Sequence, residues 1–300
     1  MASGHWPLFC FALSKGASSD VNPMGRHQWI DPMGQAKNRL TKMIAVHPYC
    51  CLCGGKMPTE SIEHAPPKIM FWKKRRPKGM EVPACKRCNN GSSEIDQLAA
   101  FYALTQSTRS IDGLGNAEED YFNKVTRGCL SNIPDMKHLF WPGPNVDKNY
   151  GKIIFDNQKL FVEKLNPWAA KQSLAHWFTL SKGKIFPSQG LITVRWLTNV
   201  ELLTNDPLLN LIKKLTSLKG LEMGKWVVHD QFFVHYSLNL KENIGGMFVR
   251  YHGTGFIAAL VGDESALKPE MKVLGGYGAS FKTNGSLGIY DYIKTQGSAA

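Results

Sequence analysis

The chain has 300 residues, 43% of them hydrophobic and 20% charged, an ordinary soluble composition with enough apolar material for one large or two modest domains. Lys and Arg outnumber Asp and Glu by 36 to 24, and the formal charge of +12 favours a polyanionic partner, because clustered cations concentrate phosphates and release their counterions. No run of about 18 apolar residues occurs, which excludes a membrane-spanning helix. The apolar part of WPLFCFALSKG is short and lacks preceding basic residues, which argues against a secretory peptide, so a cytoplasmic protein is expected.

Residues 1–42 carry Gly, Ser, Pro and scattered charge and read as a loosely ordered leader, apart from GQAKNRLTKMIAV, whose pattern suits a short amphipathic helix. Residues 43–110 hold a cysteine-rich, basic unit that closes on SSEIDQLAAFYALTQST. There Ser92 or Ser93 suits a helix cap, Glu94 and Asp96 favour the positive end of the helix dipole, and Ile95, Leu98, Ala99 and Tyr102 share one face. Turn-rich RSIDGLGNAEED and WPGPNVDKNYG bracket a stretch over 111–150 read as linker or irregular. Over 151–300 the pattern changes. GKIIFDNQKLFVEKL predicts a hairpin, and NPWAAKQSLAHWFTLSKG a helix with Pro167 in its first turn and Gly183 beyond its last. KWVVHDQFFVHYSL, GGMFVRYHGTGFIAALVG and ASFKTNGSLGIYDYI predict strands. The expected fold class is α+β, with an antiparallel sheet in this second domain.

Seven cysteines, an odd number with four in two CxxC pairs, point to metal ligation in a reducing compartment rather than to a disulfide framework. Cys50 and Cys53, then Cys85 and Cys88 after 31 intervening residues, offer four thiolates in two knuckles, the donor set of a closed, structural Zn2+ site. Cys10, Cys51 and Cys129 read as small buried hydrophobes. A four-cysteine site has no open position, so any chemistry must come from residues that the zinc holds in place. Glu63 and His64 lie between the knuckles, and Asn89 follows the last cysteine directly, with Glu60 and Asn90 as neighbours able to take the same parts.

YCCLCGG, IEHAPPK and VPACKRCNNGSSEIDQLAA together resemble the HNH endonucleases of the zinc-bound ββα-metal (treble-clef-like) type, over roughly residues 48–104. The resemblance implies that His64 is the general base, that Glu63 and Asn89 hold a catalytic Mg2+ or Mn2+, and that DNA, ahead of RNA, is cut to leave a 5′-phosphate and a 3′-hydroxyl. The residues suit that chemistry: an imidazole can take a proton from water near neutral pH, and carboxylate and amide oxygens are hard ligands. The sequence departs from the family at KGMEVPAC, which lacks the asparagine that usually precedes the second CxxC and fixes the histidine.

The run KKRRPK supplies Lys73, Lys74, Arg75, Arg76 and Lys78, and with Lys68, Lys86 and Arg87 these are the candidate phosphate contacts. Phe71 and Trp72 read as packing residues. His138, His176, His229, His235 and His252, in apolar or strand-like surroundings, read as structural. The rival functions are a non-catalytic zinc module that binds nucleic acid through the same cations, and a zinc knuckle that binds protein. Residues 151–300 suit target recognition, homo-oligomer formation or an activating partner.

Overall fold

A computed structural model describes residues 32–72, 76, 79–105, 116–133, 164–186, 190–197, 222–228, 231–252, 255–263 and 279–282. Helix α1 spans Pro32–Val46, with the proline at a first-turn position where its missing N–H costs nothing, and so begins inside the stretch read as a leader. It leads into the first cysteine turn, a short 3-10 helix over Cys51–Cys53. That turn ends in Gly54 and Gly55 at φ of +66° and +82°, a left-handed pair that folds the chain back so that Gly55 N–H reaches Cys50 O at 2.9 Å.

Strand β1 (Ser61–His64) pairs antiparallel with β2 (Glu81–Ala84), in a register that sets His64 opposite Glu81. Helix α2 (Lys86–Asn90) starts directly after Cys85, and its first N–H, from Lys86, is capped by Glu60 Oε2 at 3.1 Å. Helix α3 (Ser93–Thr105) follows. Leu98, Ala99 and Tyr102 are buried along the face expected for them, with Ile95 partly buried beside them.

Residues 111–150 are not all linker: α4 covers Asn116–Asn132 and packs on α3, where Phe101 stacks on Phe122 at 6.3 Å. Val125 and Cys129, one turn apart, are buried, and Tyr121 donates its hydroxyl to Ile69 O. The apolar spacing that builds this helix is diluted by Asn123, Lys124, Arg127 and Gly128, which hid it among turn residues.

Helix α5 (Asn166–Leu180) has Pro167 in its first turn, and Gly183 lies just beyond its last. That glycine takes φ +96° and donates its N–H to Phe178 O at 2.8 Å, so the last turn is closed by a left-handed cap. Nearly every residue of α5 is buried, which an amphipathic surface helix does not show. The helix lies between the cysteine-rich half and a six-stranded antiparallel sheet. The strands are β3 (Gly190–Leu197), β4 (Glu222–Val228), β5 (Phe232–Asn239), β6 (Ile244–Tyr251), β7 (Gly255–Asp263) and β8 (Ala279–Lys282), in the order β4-β5-β6-β7-β3-β8. The antiparallel sheet of the second half is as expected. Strand β3, buried along its whole length, is an addition: in GLITVRWL the apolar Ile192, Val194 and Trp196 alternate with Thr193 and Arg195, and the polar pair is buried with the apolar set. The hairpin expected over 151–165 falls outside the described residues except for Lys164 and Leu165.

One apolar core runs through both halves. Trp196 of β3 meets Tyr102 of α3 edge-on at 5.4 Å and Trp168 of α5 at 5.6 Å, and Phe71 meets Phe232 at 6.0 Å. Trp168, Trp177 and Trp196 are almost wholly buried, each stabilising the fold by about 2–3 kcal/mol through apolar burial. Phe71 is thus a packing residue, and Trp72 donates its backbone N–H to Gln231 Oε1 at 3.0 Å.

Candidate functional site

The two cysteine turns meet. One ligand atom from each of Cys50, Cys53, Cys85 and Cys88 lies within 4.8 Å of the others, close enough to share one metal ion. Four thiols so placed cannot all ionise unaided. The proximity of Cys50 and Cys88 favours the thiolate of Cys53, while Cys50 and Cys88 are in turn held protonated, their thiols raised above the usual range. A soft dication removes that conflict, so the donor set fits zinc in a closed site. Cys51 is not part of the cluster and is buried in the core, where burial raises its thiol well above the usual range, and Cys129 is raised to about 12 for the same reason. Cys10 lies outside the described residues.

Beside the hairpin is an open cavity of about 370 Å3 lined by residues that include Glu63, His64, Lys68, Asn89 and Asp96. Glu63 and His64 reach it from the end of β1, and Asn89 from α2, which Cys85 and Cys88 tie to the first cysteine turn. Glu60 is engaged elsewhere as the cap of α2, and Asn90 is exposed and not among the lining residues.

His64 is half-buried, and burial, with Arg76 and Lys68 nearby, pulls its imidazole down to about 4. It is therefore neutral at physiological pH and able to accept a proton. Its Nδ1 lies 3.4 Å from Glu81 Oε1 without the alignment of a hydrogen bond. Glu81 Oε1 also takes Arg76 at 3.0 Å and Arg39 at 3.2 Å. Glu81 thus stands across the strand pair from the histidine, within the segment KGMEVPAC. Nothing local announced it, since its role comes from the β1-β2 register.

Glu63 is 4% exposed, and burial pushes its carboxyl up to about 7 despite an opposing ammonium. That ammonium is Lys171 of α5, itself 4% exposed, whose Nζ donates to Glu63 Oε2 at 2.7 Å and to Ser92 Oγ at 2.6 Å. Ser92 Oγ also contacts Asp96 Oδ2 at 3.3 Å, and Trp168 Nε1 donates to Asp96 Oδ1 at 2.7 Å. Burial raises the Asp96 carboxyl too, against Lys171 and these two hydrogen bonds. Asp96, expected only to favour the start of α3, is the second acid of the site. Lys171 and Trp168 were read as part of a helix.

The candidate phosphate contacts divide. Lys68 is exposed at the cavity, and Lys86 and Arg87 are exposed on α2. Arg76 is 16% exposed at its side chain and paired with Glu81, so part of its charge is spent on a neighbouring carboxylate. Lys73, Lys74, Arg75 and Lys78 lie outside the described residues, as do His138 and His229. His176 is buried, His235 is half-buried on β5, and His252 Nε2 contacts Met70 O.

Among the described residues no helix is long and apolar enough to cross a membrane. Comparison with protein-family models, curated proteins and solved structures returns no match. What the site does has to be read from its own chemistry.

Proposed function

We propose that the chain is a metal-dependent HNH-type endonuclease that hydrolyses phosphodiester bonds of nucleic acid, DNA ahead of RNA. The observation that carries this reading is that Glu63, His64 and Asn89, drawn from a strand and from a helix 25 residues further on, line one cavity with the exposed cation Lys68. Binding alone would need only the cations.

His64, neutral at working pH, takes the proton of an attacking water. The water adds to phosphorus opposite the 3′ oxygen, which departs with the electrons of the P–O bond and takes a proton from solvent, leaving a 5′-phosphate and a 3′-hydroxyl. Lys68 holds a neighbouring phosphate, and Lys86 and Arg87 extend the positive surface. Glu63 and Asn89, with Asp96 beside them, are the oxygen donors that would hold Mg2+ or Mn2+, which when bound supplies stabilisation of the leaving oxygen. The donors fit such a cation in type, while Lys171 already occupies one oxygen of Glu63. The four cysteines would hold structural zinc and so fix Asn89 against the hairpin. The same occupied oxygen is the observation that favours the second reading, a non-catalytic zinc module that binds nucleic acid.

The test is cleavage of supercoiled plasmid, single-stranded DNA and RNA in Mg2+ or Mn2+ by the full chain and by His64→Ala, with zinc content measured in both. The expected result is a rate at least about 100-fold lower in the variant at an unchanged one zinc per chain. Products ending in 3′-phosphate would exclude this route. Tight binding to nucleic acid that His64→Ala leaves intact, with no cleavage by either protein, would support the second reading.

A further inference from the structure

The second half of the chain places a helix against the candidate cation ligands, and that helix carries a buried lysine. Lys171 comes from 108 positions beyond Glu63, is 4% exposed, and spends two donors on site residues: Glu63 Oε2 at 2.7 Å and Ser92 Oγ at 2.6 Å. One turn earlier on the same face of α5, Trp168 holds Asp96 at 2.7 Å. The inner wall of the site therefore has two carboxylates and one ammonium, a formal charge of −1 that a single lysine does not balance.

We infer that Lys171 is a positioning residue that serves as the resident counter-ion of the cation site, and that a divalent cation must displace its ammonium from Glu63 to bind. The inference rests on Glu63 being a cation ligand and adds what regulates it: α5 and the sheet behind it set the cation affinity of the site. An ammonium in hydrogen-bond contact with a ligand carboxylate repels an incoming dication strongly where little water screens the two. Ser92 steadies the ammonium through its hydroxyl, so removing that hydroxyl weakens the competitor without changing any charge.

Mn2+ binding to the zinc-loaded full chain, followed in mildly alkaline buffer by loss of the free-ion paramagnetic resonance signal, tests this directly. Lys171→Met should bind Mn2+ about tenfold tighter or better than wild type, and Ser92→Ala about two- to fivefold tighter. Equal or weaker binding by a folded Lys171→Met, or no Mn2+ binding by any of the proteins, overturns the inference. If Lys171→Met does not fold, Ser92→Ala decides alone, and an unshifted affinity there overturns it. Plasmid and RNA cleavage measured on the same samples separates this inference from the nuclease reading. Tighter Mn2+ binding without cleavage keeps the counter-ion and removes the nuclease. Cleavage at an unshifted Mn2+ midpoint does the reverse.

Discussion

Asp96 shows how a single residue is fixed by what surrounds it. Its carboxylate sits against Trp168 and Ser92, with Lys171 close by, and burial works against its charge. The indole N–H is the shortest of its hydrogen bonds, so Trp168→Phe, which keeps the ring and removes the donor, leaves a largely buried carboxylate short of a partner. A loss of about 1.5–3 kcal/mol is expected, measured by urea unfolding. Asp96→Asn in the same cycle should show that this loss couples to the carboxylate, and additive effects of the two substitutions would mean that the contact carries no such weight. Glu81 follows the same rule from the other side: its position opposite His64 follows from one strand register.

At the scale of elements, the end of α5 is held to the end of α1. Gly183 adopts φ +96°, and a Cβ built there would stand 2.6 Å from His47 Cε1, whose ring packs edge-on against Phe178 at 4.9 Å. Gly183→Ala meets both a backbone penalty and a clash. It is expected to cost about 1–3 kcal/mol, read as a lowered midpoint of thermal unfolding. An unchanged midpoint would mean that α1 is free to move away from α5. The two cysteine turns act at the same scale, since they join α2 to the segment before β1 and so bring Asn89 to the cavity that Glu63 and His64 reach from the hairpin.

For the whole molecule, a titratable group outside the site bears on stability: His176 is fully buried on α5, with neither ring nitrogen hydrogen-bonded among the described residues. Burial pulls it from the ordinary 6.5 down to about 4. Its folded pKa is below the unfolded value, so the unfolded chain takes up the proton first as pH falls. The stability contributed by the neutral ring is full above 6.5 and is lost as pH falls toward 4. Glu63, raised to about 7 from 4.5, acts in the opposite sense: its contribution is present at low pH and lost as pH rises through 7. Comparing His176→Gln with wild type isolates the histidine. Between about pH 7 and pH 5 the variant should lose about 2 kcal/mol less stability than wild type, and an identical pH dependence would show that His176 is hydrated rather than dry.

Much of the frame was legible in residues close together along the chain. The two CxxC pairs, the Glu63-His64 step, Asn89 after the second knuckle, the buried face of α3, the caps of α5 and the antiparallel pairing of the second half all follow from turn chemistry and from periods of two or 3.6 residues. Helix α4 was not legible because polar residues diluted its stripe; strand β3 does alternate, Ile192, Val194 and Trp196 against Thr193 and Arg195, but only the tertiary structure shows that both of its faces are buried. Local pattern also could not show that Lys171 and Trp168 would close on Glu63 and Asp96, or that Arg76 and Glu81 would face His64. Those partners are distant in sequence or set by register, and a charge is satisfied by whatever docking brings beside it. The sequence by itself determined the candidate donors and the elements that carry them. Only the packing of α5 between hairpin and sheet decided which acids share the buried ammonium, because removing charges from water forces each to be paired by the nearest element, whatever its place in the chain.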